Sequence, residues 1–150
     1  PTNTAHGWWD LDNDGDYDDF FSWPRTAFAS GICGEVFSTA EDLAKWARAL
    51  FHEKNVLSQE TLNKMLTFHS PCTGEEFLSA GYGLGAVRFN SNVFNGLEII
   101  GHSGNAPGYA AACLYLLDYD VCIGFMDNTE EGDAMYIITD LLNIIVDHIG

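Results

Sequence analysis

The sequence predicts a mixed α+β domain, an antiparallel sheet with a covering C-terminal helix and a helical flank. Three observations lead there: two stretches of helical apolar spacing before residue 75, a series of short strand-like segments after it, and one more helical stretch at the end.

Residues 1–35 are rich in Asp, Gly and aromatic residues with little periodicity, which reads as an ordered loop held by its Trp and Phe side chains. Ser38-Thr39-Ala40-Glu41 has the form of a capping box, which satisfies the first unpaired N–H groups of a helix. Leu43, Trp46, Ala47, Leu50 and Phe51 then share one helical face. A second, shorter helix starts at Ser58, with Glu60 in its first turn and Leu62, Met65 and Leu66 facing inward, and Pro71 ends it. From Gly81 the segments 82–89, 97–103, 109–117 and 121–127 read as antiparallel strands. Short turns join them at Asn90 to Gly96, at Pro107-Gly108 and at Asp118-Tyr119-Asp120. A last helix from about Ala134 carries Ile138, Leu141, Leu142, Ile145, Val146 and Ile149 as a broad apolar stripe that needs a sheet to cover.

Composition narrows the function classes. The chain has 150 residues, 47% of them hydrophobic, enough apolar material for a globular core. Six Lys and Arg against 22 Asp and Glu leave a net charge of −16, which repels phosphate backbones and anionic lipid, so the charge argues against nucleic-acid and membrane partners; no nucleic acid and no membrane span are expected. Such acidity suits a secreted or salt-adapted protein. No stretch approaches the ~20 apolar residues of a membrane span. The start, Pro1-Thr2-Asn3-Thr4, has neither a signal-peptide pattern nor an initiating Met, and the expectation is that something preceded it. Cys33, Cys72, Cys113 and Cys122 lack zinc-ligand spacing; up to two disulfides or free buried thiols fit them equally.

The chemistry-bearing segment is Gly101-His102-Ser103-Gly104-Asn105-Ala106-Pro107-Gly108-Tyr109, a polar, glycine-rich run between two strands. With Gly81-Tyr82-Gly83-Leu84-Gly85 and Ser38-Thr39-Ala40-Glu41-Asp42-Leu43-Ala44-Lys45-Trp46 upstream, in the same order, it resembles the beta-lactamase and D-alanyl-D-alanine carboxypeptidase family over roughly residues 5 to 147. The resemblance implies the C-terminal portion of the beta-lactamase/transpeptidase-like fold. Residues 1–75 are then the loop and helices of its helical flank, and 76–150 its strands and final helix, together one incomplete domain.

The resemblance also implies a mechanism. A serine attacks an acyl carbonyl, a neighbouring Lys and Tyr move its proton, and an acyl-enzyme formed from a lactam, amide or ester is hydrolysed. His102, Ser103 and Gly104 stand where the family has its third motif. His102 would lie near the substrate carboxylate or leaving group, the Ser103 hydroxyl would hydrogen-bond the same region, and Gly104 would let the substrate lie along the strand. The backbone N–H of Asn105 becomes a candidate oxyanion-hole donor. The implied partner is a small-molecule or peptide substrate, the implied location periplasmic or extracellular, and no cofactor is needed for the chemistry.

The family's first motif, Ser-x-x-Lys, is not in this sequence: three residues before Lys45, Lys54 and Lys64 stand Asp42, Phe51 and Thr61. Tyr-x-Asn is missing as well, and Ser103-Gly104-Asn105 matches Ser-x-Asn only by overlapping the third motif. Both motifs precede this segment in the family. The expectation is therefore a catalytically dead segment that pairs with a missing N-terminal portion of the same fold or self-associates. A stand-alone carboxylate- or peptide-binding module or pseudo-enzyme is the competing reading. A third reading takes Gly101-His102-Ser103-Gly104-Asn105 as a near-match to the G-x-S-x-G elbow, with Ser103, Asp127 or Asp140, and His148 in triad order.

Asp10, Asp12, Asp14, Gly15, Asp16 and Asp18 follow the first nine positions of a calcium loop, with Phe21 where the twelfth-position glutamate belongs. Calcium binding and a solvated acidic loop fit this pattern equally.

Overall fold

The structure, a computed structural model, describes residues 4–22, 34, 36–69, 79–129 and 134–149. Thr39, not Ser38, begins the first helix: it is extended and its hydroxyl accepts from Asp42 N–H at 3.1 Å, so the capping pair is one residue later than the sequence pattern indicated. Helix α1 (Ala40–Ala47) then widens into a π-helical turn, Arg48–His52, closed by Glu53 N–H donating to the Arg48 carbonyl at 2.8 Å. Ala47, Leu50 and Phe51 are buried as expected, but Trp46 is 51% exposed. On the side that meets the sheet the α1 backbone comes close to β7, with the Ala40 carbonyl oxygen and the Ala44 nitrogen against Gly124, and Ala47 is buried there. Helix α2 (Gln59–Met65) is capped by Ser58 and buries Leu62. Pro71 lies outside the described residues.

Five antiparallel strands form a meander in the order β3 (Ser79–Tyr82), β4 (Val87–Phe89), β5 (Ile99–Ala106), β6 (Tyr109–Leu116) and β7 (Val121–Asp127). The segment expected as one strand over 82–89 is a hairpin. Gly83 N–H donates to the Ala86 carbonyl at 2.8 Å, and Gly85 adopts φ +72, which turns the chain between β3 and β4. A separate two-stranded ladder pairs β1 (Trp8–Trp9) with β2 (Asp18–Asp19) in the N-terminal loop.

Strand alternation divides the core between the two sheet faces. Ile99, Ala112, Leu114 and Leu116 join Val87, Phe89, Phe94 and Leu97 under the C-terminal helix α3 (Ala134–Ile149), which contributes Ile138 and Leu142. On the other face Ile100, Cys113 and Tyr115 pack against Ala47, Leu50, Phe51 and Leu62. The stripe read on α3 is narrower than expected. Leu141 and Ile149 are exposed with Ile137 and Ile144, because the sheet's width is filled by Ile138, Leu142 and Val146.

Cys113 and Cys122 are free, half-buried thiols, while Cys33 and Cys72 lie outside the described residues. Burial pushes the Cys113 thiol up to about 11, so it stays a packed, unreactive group.

The far end of the sheet is tied by Asp120, in the β6–β7 turn at φ 57. Its carboxylate accepts from the Tyr115 hydroxyl at 2.8 Å and meets His52 of the π-helical turn. The Tyr115 hydrogen bond first, then His52, holds the Asp120 carboxyl below the usual range. A carboxyl with a depressed folded pKa contributes stability above its unfolded value of about 3.9, and that contribution is lost as pH falls through the folded value. Chemical denaturation at stepped pH is therefore expected to show a shallower loss of stability below about pH 4 in Asp120→Asn than in the wild type. Identical slopes would show that this carboxylate is not linked to folding.

Candidate active site

Strand β5 carries the polar run, and its two edges differ. Toward β6 it pairs without a register break from Ile99↔Leu116 to Ala106↔Tyr109, so no bulge sits at Gly101 or Gly104. Toward β4 the recorded pairs are Arg88↔Ile100 and Val87↔Gly101, where β4 begins. Among the described residues, therefore, the stretch from His102 to Ala106 has a neighbouring strand on one side only.

The two glycines of the run have opposite reasons. A Cβ at Gly101 would lie 2.1 Å from the Cys113 carbonyl oxygen, so the approach of β5 to β6 demands glycine there. A Cβ at Gly104 would meet nothing within 4 Å. Nothing in the packing of the described residues requires glycine at 104.

The structure places His102, Ser103, Gly104 and Asn105 consecutively on this edge. Opposite Cys113 and Ala111, His102 and Gly104 turn toward the α1 face; opposite Ala112 and Ala110, Ser103 and Asn105 turn toward the α3 face. His102 is exposed, and both of its ring nitrogens are engaged. Nδ1 lies 2.6 Å from the Ser103 carbonyl oxygen, which can only accept, so Nδ1 carries a proton. Nε2 lies 2.7 Å from the Tyr82 hydroxyl, which donates to it when the ring is neutral. The two rings meet edge-on, with centroids 5.7 Å apart and planes at 90°. The sequence pattern does not single out Tyr82 as a partner of His102, although it lies within the Gly81–Gly85 segment. The signal lies in the hairpin: β3 ends at Tyr82, which pairs with Val87, and Val87 pairs in turn with Gly101, the residue before His102.

The N-terminal loop is pinned to the tip of the β5–β6 hairpin. Gly7 packs so closely on the Tyr109 ring and the Gly108 carbonyl that a Cβ would come within 2.4 Å of the ring. The Tyr109 hydroxyl donates to the Ala5 carbonyl at 3.0 Å, and Trp8 N–H donates to the Asn128 carbonyl at 2.9 Å. Partial burial raises the Tyr109 hydroxyl above its usual range.

The nucleophile-elbow reading fails on this geometry. Ser103 lies within a strand and is followed by a hairpin turn at Pro107-Gly108, where an elbow needs a helix. Asp127 accepts from the Thr129 N–H and hydroxyl, and His148 meets the Ile144 carbonyl on the last turn of α3, so neither turns to Ser103.

In the acidic loop, one carboxylate oxygen each from Asp10, Asp12 and Asp14 lie within 4.8 Å of one another, and Asp16 and Asp18 are not in that group. Both Asp10 oxygens already accept from the backbone, from Asp14 and Gly15 N–H at 3.0 Å each. At the twelfth position Phe21 stacks on His6 at 4.4 Å. Asp19, two residues before Phe21, is committed to His6 at 2.8 Å and to Phe21 N–H at 2.9 Å. The described residues thus offer a partial ligand set without the bidentate carboxylate of a full calcium loop.

The sequence profile of the beta-lactamase family matches residues 2–144. The chain belongs to the beta-lactamase family. No curated relative matches it in sequence. Among solved structures it is similar to a D-stereospecific amidohydrolase from Streptomyces sp., with a TM-score of 0.73 and 24% identity, over 92% of this chain and 39% of that one. It is also similar to D-amino acid amidase from Ochrobactrum anthropi SV3, solved with D-phenylalanine, with a TM-score of 0.60 and 22% identity, over 75% of this chain and 36% of that one. The fold is therefore that of the beta-lactamase-like serine hydrolases, and the chain spans well under half the length of these two proteins. Among the described residues no helix is long and apolar enough to cross a membrane.

Proposed function

We propose that this chain supplies the third-motif strand of a beta-lactamase-type serine hydrolase that cleaves amide bonds through an acyl-enzyme, with the nucleophile contributed by chain outside these 150 residues. The observation that carries the reading is the edge of β5 from His102 to Ala106, which among the described residues is paired on one side only and has open space over Gly104. An extended acyl substrate can lie along such an edge as an added strand. Its carboxylate or leaving group would then come to His102 and the Ser103 hydroxyl. Asn105 N–H would donate to the oxygen that becomes anionic as the serine attacks the carbonyl carbon.

D-Amino-acid amides are the substrate class to try first, because both structural relatives are described as acting on D-configured substrates or amides. In this reading the completing chain also covers the exposed Ile137, Leu141 and Ile144 of α3 and the outer edge of β7, which pairs only with β6 among the described residues. A periplasmic or extracellular location belongs to the same proposal. Calcium is left out of it, since the chemistry needs no ion and the acidic loop offers only a partial ligand set.

The test is covalent labelling. With a penicillin or fluorophosphonate probe, the 150-residue chain alone should give no adduct and no burst of product. Mixed with a fragment holding a Ser-x-x-Lys and Tyr-x-Asn portion of the same fold, it should form a complex by light scattering and yield an adduct on the added serine. An adduct on Ser103 would overturn the proposal. A monodisperse monomer that ignores the added fragment would favour a self-contained binding module instead.

A further inference from the structure

The Tyr82–His102 contact carries more than proximity. A histidine ring alone on a strand edge can turn about its side-chain bonds and exchange its proton between two nitrogens. Here two partners of different kinds remove both freedoms. The Ser103 carbonyl oxygen, 2.6 Å from Nδ1, accepts only and so fixes the proton there. The Tyr82 hydroxyl, 2.7 Å from Nε2, can donate and so favours a bare lone pair at that nitrogen. The perpendicular packing of the two rings adds a steric hold on the orientation. Tyr82 is itself held at the end of β3 by its backbone pairing with Val87, next to the Gly83–Ala86 turn. That turn is pinned in its own right: Leu84 N–H donates to the Met65 carbonyl at 3.0 Å, and a Cβ at Gly83 would strike the same oxygen.

We propose that Tyr82 is a positioning residue for His102, fixing its ring orientation and holding the neutral ring in the Nδ1–H form. The catalytic meaning of this pair rests on the function proposed above; the pair itself does not. In the completed site Nε2 is the nitrogen turned to the β3 side of the open edge, and Tyr82 sets its state as an acceptor before substrate arrives.

The deciding experiment uses the 150-residue chain as it stands and needs no activity. Two-bond proton–nitrogen correlation spectra of the histidines, at a pH where the imidazoles are neutral, report which ring nitrogen of His102 carries the proton. The expected wild-type result is a single Nδ1–H form, opposite to the Nε2–H preference of a free histidine side chain. In Tyr82→Phe the ratio should move toward Nε2–H by about threefold to tenfold, the worth of one hydrogen bond, with the backbone spectrum elsewhere unchanged. A wild-type ring in the Nε2–H form would overturn the proposal whether or not the variant folds. An unchanged ratio in a folded Tyr82→Phe would overturn it as well. Neither outcome touches the labelling test, so the two proposals fail separately. In an active, completed enzyme Tyr82→Phe should lower kcat more than it raises KM, and Tyr82→His, which restores a donor, should recover part of the loss.

Discussion

Gly124→Ala is expected to lower the melting temperature of the chain by about 6 to 12 °C, from a destabilisation of about 3 kcal/mol in a domain of this size. Gly124 lies on β7 opposite Cys113, on the face that receives α1. A Cβ there would sit 2.0 Å from the Ala40 carbonyl oxygen and 2.7 Å from the Ala44 nitrogen. Both are backbone atoms of α1, so no side chain can swing away; the helix must lift off the strand. Lifting it exposes Ala47, Leu50 and Phe51, which together with Leu62 and Ile100 form the core on that side. The useful comparison is Gly104→Ala, whose Cβ meets nothing and which should melt within about 0.5 kcal/mol of the wild type. Thermal unfolding followed by circular dichroism on both variants checks the argument. Equal melting temperatures would mean that α1 does not rest on β7 as closely as described.

The contrast between these glycines also shows what was legible in the sequence. The later strands, the C-terminal helix and the two turns that join β5 to β7 could be read because each depends on local signals: runs of Ile, Val and aromatic residues broken by Pro107-Gly108 and by Asp118-Tyr119-Asp120. The third-motif run was legible for the same reason, as a polar interruption in an apolar strand. What could not be read depends on contacts distant in sequence. Gly124 looks like a weak point in a strand, yet it marks the seat of a helix some eighty residues earlier, Ala40 and Ala44. Trp46 satisfies the helical spacing and is nevertheless exposed, while the backbone of Ala40 and Ala44 comes against Gly124 of β7. The hairpin hidden in 82–89 turns on Gly83, whose lack of a side chain answers to the Met65 carbonyl. The partnership of Tyr82 with His102 spans twenty positions and two strand pairings, and no periodicity announces it. In the acidic loop the spacing of Asp10, Asp12 and Asp14 is reproduced in space, but the sequence did not indicate that Asp19 would be taken by His6 and the Phe21 N–H.

In the completed enzyme of the proposed function, His102→Ala is expected to lower kcat/KM by roughly 30- to 900-fold, the equivalent of about 2 to 4 kcal/mol of transition-state stabilisation for one positioned polar group. The size follows from pre-organisation. Ring orientation is already set by Ser103 and Tyr82 in the substrate-free chain, so little reorganisation is needed when charge develops near Nε2. The loss should fall mainly on kcat if His102 meets the leaving group, and mainly on KM if it meets a carboxylate present in both ground and transition states. Stability should be nearly unchanged, because His102 is exposed and its ring lies at the edge of the sheet, outside either core cluster. Steady-state kinetics on a D-amino-acid amide, run beside a thermal melt, separates these effects. A variant that melts like the wild type and turns over at the same rate would remove His102 from the site and leave the one-sided edge of β5 as a feature of the fold alone.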